Sequence, residues 1–295
     1  MKVAKIAVAV SVILLLGAAG FVGYGLRDAP GRDAIGTPGR AQSGAAEITF
    51  YTNGPVQGVS VVLIPSYSRP ASDFNELVVA LNSAGMRTIA VQPRGIGAST
   101  LPFRDVTYHT FANDVIAVLD AVGVTAPVHV IGHAYGNRVA RTVASDHPDR
   151  VGRLVLLAAG GARPTPPETS ASITKALFRW ASEEERRQAV HHAFFAKGSD
   201  VPESWMRGWH PLAGIAQARA MAQTPLAEWT AGGRAPILVL EPAEDAAAAG
   251  GGELLREAHP ERVRVVMVEG AGHALLPERP EFVAREVIRF LVGSS

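Results

Sequence analysis

Residues 132–136 read GHAYG, a glycine pair in the spacing of a G-x-S-x-G turn with an alanine at its centre. In that frame a serine at the sharp bend between a strand and a helix acts as a nucleophile toward acyl carbon. The methyl group of Ala134 cannot attack anything. A chain with 30 glycines produces such pairs by chance, so the flanks have to decide. They favour the frame: VHVIG (128–132) reads as a strand, NRVARTVA follows as a helix, and the small Gly132 and Gly136 suit the tightness of the turn. Two further polar residues sit just past strand-like runs, Asp245 after PILVLE and His273 after RVVMVEG.

The elements that must hold these positions follow from periodicity. EITFYTNG (47–54) reads as a strand ending in an Asn-Gly turn, and VSVVLIP (59–65) as a strand buried on both faces. FNELVVALNSAG (74–85) and FANDVIAVLDAVG (111–123) are amphipathic helices closed by glycine, with the strand RTIAVQP (87–93) between them. The helix YGNRVARTVASDHP (135–148) precedes the strand GRLVLLAA (152–159). Two late strands, APILVLE (235–241) and RVRVVMVEG (262–270), precede a final helix, PEFVAREVIRFL (280–291). Such alternation predicts an α/β fold: a mostly parallel sheet with helices on both faces. Residues 163–230 break the rhythm, with helical patterns only and a capping box at Ser182 and Glu185. They read as a helical lid inserted before the last two strands. Its Trp205, Trp209 and Trp229 are candidates either to line a pocket or to fasten lid to core.

These features resemble the α/β-hydrolase superfamily over residues 46–292. QPRGIGAS (92–99) is similar to that family's D-x-R-G-x-G-x-S segment, GAGHALLPERPEF to its closing G-x-G-H…P…F pattern, and Asp245 and His273 stand in its chain order. The resemblance implies that Ala134 holds the nucleophile position, Asp245 is the catalytic acid and His273 the general base, with the carboxylate fixing the imidazole tautomer. Glu241 and Glu244 lie close enough in sequence to compete with Asp245. A second departure accompanies Ala134. Where the family has His-Gly after its third strand, this chain has Pro65-Ser66-Tyr67, and proline has no N–H to offer an oxyanion. The backbone N–H of Tyr135 remains. Two departures together fit a chain shaped around the missing serine rather than a single replacement.

Three functions survive. The His273–Asp245 pair works as a base without a covalent step, activating water or abstracting a proton. A substitute hydroxyl takes over, with Ser66, Tyr67, Ser68 and Tyr135 as candidates and Ser66 best placed. Or the pocket only binds a ligand, as a pseudoenzyme. A small, moderately hydrophobic carbonyl or ester-like compound is the expected substrate or ligand in each case. His133 reads as a packing residue of the turn, Arg94 as a structural tie, and His191-His192 as a solvated helix face. No G-x-G-x-x-G opens a helix and no histidine–carboxylate spacing suggests a metal, so no cofactor is expected.

A net charge of +1 without a basic stripe speaks against a nucleic-acid partner, and the absence of cysteine excludes thiolate chemistry and disulfides. Lys2 and Lys5 precede an uncharged run, Ile6 to Leu26. Residues 1–26 therefore read as a signal peptide or an N-terminal membrane anchor, either of which sends the remainder across the inner or plasma membrane. Residues 27–45 read as a flexible linker, 46–162 and 231–295 as the core, and 163–230 as the lid.

Overall fold

In a computed structural model, which describes residues 20–102, 106–161 and 163–293, eight strands form one sheet. They are β1 Thr37–Ser43, β2 Ala46–Asn53, β3 Ser60–Ile64, β4 Arg87–Val91, β5 Val128–His133, β6 Val151–Leu157, β7 Ile237–Pro242 and β8 Val263–Val268. Their order in space is β1-β2-β4-β3-β5-β6-β7-β8. β2 runs antiparallel to both its neighbours, β1 at the edge and β4, and the pairs from β4–β3 to β7–β8 are parallel. The inner strands carry runs such as Val61–Ile64 and Leu154–Leu157, buried throughout, because helices cover both faces.

On one face lie α1 (Asn75–Ser83) and α10 (Pro280–Val292), which bury Leu77, Leu81, Val283 and Val287 against the sheet. On the other lie α2 (Tyr108–Ala121), α3 (Tyr135–Asp146) and α8 (Gly251–Ala258), through Phe111, Val115, Val139 and Leu255. Between β6 and β7 the chain leaves the sheet for α4 (Pro167–Leu177), α5 (Glu183–Phe194), α6 (Glu203–Met206) and α7 (Pro211–Gln223). Ser182 caps α5 reciprocally with Glu185, as the sequence predicts. The short α9 (Leu275–Glu278) leads into α10.

The stretch expected to be a linker is part of the fold. Thr37–Ser43 pairs residue for residue with β2, and Ala29 bridges Trp209 within the lid. TPGRAQS lacks the apolar alternation that marks a half-buried strand. Only Ala41 and Ser43 of it are buried, and an edge strand next to one partner tolerates such polarity. Most of the expected signal or anchor segment, residues 1–19, lies outside the described residues. No described helix is long and apolar enough to cross a membrane.

Candidate active site

The bend between β5 and α3 falls on Ala134, at φ +50° and ψ −108°, a conformation L-residues rarely adopt. Both neighbouring glycines are obligatory here. A Cβ on Gly132 would lie 2.3 Å from the Gly136 carbonyl oxygen, and one on Gly136 would lie 2.1 Å from that of Ile64. The strained residue is held from several sides. Its N–H donates to the Leu157 carbonyl at 2.9 Å, and its own carbonyl accepts from the Asn137 N–H at 3.1 Å and from the Asn137 side-chain amide. The turn has the geometry of a nucleophile elbow with a methyl group at its tip.

Asp245 and His273, from the loops after β7 and β8, meet beside it. His273 Nδ1 lies 2.9 and 3.0 Å from the two carboxylate oxygens of Asp245, and both side chains are buried. Asp245 Oδ1 also accepts from the N–H groups of Ala247 (2.8 Å) and Ala248 (2.9 Å). Burial pushes this carboxyl up, but the imidazole charge and hydrogen bonds outweigh it and hold the group below the usual carboxylate range. The competing acids are otherwise engaged. Glu241 accepts from the Gly250 and Gly252 N–H groups, and Glu244 from the Lys197 N–H. With Nδ1 committed to Asp245, Nε2 of His273 is the nitrogen left to take a proton.

His133 fixes the loop that carries this imidazole. Fully buried, it donates through Nε2 to the His273 carbonyl at 2.8 Å, with the two rings 5.6 Å apart. Burial, reinforced by the His273 ring, lowers its pKa from the ordinary 6.5 to about 4. An unfolded chain therefore takes this proton near 6.5 while the folded one resists until about 4. Stability is full above 6.5 and falls with acidification, by about 3 kcal/mol at the lower end of that window. His133→Phe is expected to flatten the loss between pH 6.5 and 4 in urea denaturation. An unchanged acid slope contradicts this assignment.

A cavity of about 230 Å³ opens against His273 and Ala134, lined also by Ser66, Tyr67, Phe194 and Met221. Of the hydroxyl residues considered from sequence, Ser66, Tyr67 and Tyr135 line it, Tyr67 with its phenol pushed up to about 12 by burial. Ser68 does not serve. At φ +60° it donates its hydroxyl to the His210 carbonyl, accepts from the His210 N–H, and so ties the loop after β3 to the lid. The Tyr135 phenol is also corrected as a nucleophile. Its hydroxyl is buried without a partner among Tyr67, Tyr108 and Phe111, and burial drives its pKa well above 10. Only its backbone N–H, first in α3, stays suited to an oxyanion.

The tryptophans fasten rather than line. Trp205 and Trp209 pack on Phe194 with the Arg69 guanidinium 4.6 and 4.8 Å from their rings, and Trp229 packs on Tyr108 and Arg141. Arg94 is the structural tie expected of it, paired with Asp114 at 2.6 Å inside the core. Sequence reasoning missed Arg138, which also lines the cavity. Its signal was present in the spacing, four residues after Ala134 on a helix and hence on the elbow's face.

Comparisons with known proteins bear on the family and the fold. A family model described as the alpha/beta hydrolase family matches residues 61–286. The chain is 28% identical over 273 residues to a non-heme chloroperoxidase from Streptomyces lividans, covering 82% of this chain and 95% of that protein. It is 37% identical over 110 residues to the "Putative carbamate hydrolase RutD" of Variovorax paradoxus (strain S110), a match spanning 37% of this chain and 41% of that protein's length. Among solved structures, the enol-lactonase from Burkholderia xenovorans LB400 superposes with a TM-score of 0.73 at 23% identity, covering 86% of this chain and all of the other.

Proposed function

The chain belongs to the alpha/beta hydrolase family, and on that footing we propose that it acts on a small, moderately hydrophobic carbonyl or ester-like compound through the His273–Asp245 pair, without a covalent step at the elbow. One observation carries this. An imidazole whose Nδ1 is held by a buried carboxylate borders a cavity at the place where the elbow offers only a methyl group.

The steps follow from the geometry. His273 Nε2 takes a proton from a water beside Ala134, and the resulting hydroxide forms the new bond to the substrate carbonyl carbon. The carbonyl oxygen becomes an oxyanion facing the Tyr135 N–H at the start of α3, where the helix dipole also favours negative charge. Asp245 stabilises the imidazolium, which then returns its proton to the leaving oxygen as that bond breaks. With an acidic C–H in place of an ester, the same nitrogen abstracts a carbon-bound proton instead.

A fluorophosphonate probe, which labels activated serines, tests the absence of a covalent nucleophile. The wild-type chain is expected to gain no adduct mass. Labelling of Ser66, whose side chain also lines the cavity, transfers the reaction to a substitute nucleophile and overturns the proposal.

A further inference from the structure

We infer that Arg138 forms an anion subsite in this cavity, and that the compound acted on carries a carboxylate alongside its reacting carbonyl. This deepens, and rests on, the proposal that the cavity is the substrate site. Arg138 stands one helical turn beyond Ala134, is partly buried, and lines the cavity. Its bonds within the protein are all to neutral groups. Nη1 donates to the Tyr108 hydroxyl at 3.0 Å and rests against the Met221 sulfur, while Nε is buried with no acceptor. No carboxylate among the described residues pairs with it, whereas the buried Arg69 and Arg94 each hold an aspartate.

The surroundings add to the imbalance. Among the described residues, no Asp or Glu lines the cavity. Behind Arg138 lies a second cation, Arg141, whose donors go to the Asn137 side chain and to the carbonyls of Gly160 and Thr230. A partly buried guanidinium with no counter-charge among the described residues carries a desolvation cost. A ligand carboxylate would supply both the charge and the acceptors, in hydrogen bonds stronger than neutral ones. Ala158, Ile173, Phe194 and Met221 give the lining apolar surface, with the neutral hydroxyl residues Ser66, Thr165 and Ser170 among them. An arginine among neutral and apolar lining residues favours a largely apolar body bearing a single negative group.

Calorimetric titration at neutral pH with a matched pair, 3-phenylpropanoate and 3-phenylpropanamide, tests this on the full chain. The acid is expected to bind roughly 10- to 100-fold more tightly than the amide, the range of a charge-assisted hydrogen bond. Arg138→Met, which keeps an apolar stem, is expected to remove that preference while leaving amide affinity within about twofold, and Arg138→Lys to keep part of it. Equal affinity for the two compounds, a preference for the amide, or failure of the acid to bind at millimolar concentration overturns the subsite. So does a preference that survives Arg138→Met. The wild-type comparison decides alone if that variant does not fold. Because binding is read without turnover, loss of the preference leaves the His273 chemistry standing. A wild type that prefers the acid yet turns nothing over removes that chemistry and keeps the subsite.

Discussion

Ala134→Ser is expected to raise hydrolysis of p-nitrophenyl butyrate on the order of 10³-fold over the wild type. In an intact triad, loss of the nucleophile costs about 10⁶ in turnover. Here Pro65 removes one conventional oxyanion donor, a deficit worth about 10²–10³, so only part of that factor is recoverable. Everything else a serine would need is standing. The bend is already at φ +50°, Gly132 and Gly136 admit no side chain, and Asn137 and Leu157 hold the Ala134 peptide on both sides. The added oxygen enters a cavity of about 230 Å³ rather than packed core, so the thermal midpoint is expected to stay within a few degrees of wild type. A gain below about tenfold with the fold intact would mean that the imidazole is not aimed at position 134.

His273→Ala is expected to lower whatever turnover the wild type shows by about 10²–10⁴, the usual contribution of a placed general base. A merely structural role predicts a different outcome. The hydrogen bond that His133 makes in this loop goes to the backbone carbonyl of residue 273, which alanine retains, and Asp245 keeps the N–H groups of Ala247 and Ala248. The variant is therefore expected to fold and to bind ligand while losing chemistry. Retained turnover contradicts the assignment of His273 as base.

How much of this could be read from the chain depended on how local each signal was. Buried strands such as Ser60–Ile64, helices stopped by Gly85 and Gly123, and the glycine-framed bend at Ala134 are written in contiguous residues, and the structure has them where the pattern puts them. Asp245 and His273 were legible because each lies on the loop just past a strand, so the parallel sheet carries both to one edge. Thr37–Ser43 was not, because an edge strand with one partner has no need of apolar alternation. The fate of the tryptophans was likewise hidden. Whether Trp205 and Trp209 face a cavity or pack against Arg69 depends on the docking of α5 and α6, which no local pattern encodes. Ser68 looked like a free hydroxyl in sequence, yet a lid residue 142 positions away consumes it.

His273 and Asp245 are proposed to act without a covalent partner in a frame that lacks the serine and one conventional oxyanion donor. The most direct measurement is rapid-mixing kinetics of p-nitrophenyl butyrate with wild type and Ala134→Ser side by side. Nitrophenolate is predicted to rise linearly from time zero in the wild type, and with a burst of one equivalent per chain in the variant as position 134 is acylated. A stoichiometric burst in the wild type, or none in a folded and accelerated Ala134→Ser, would contradict it.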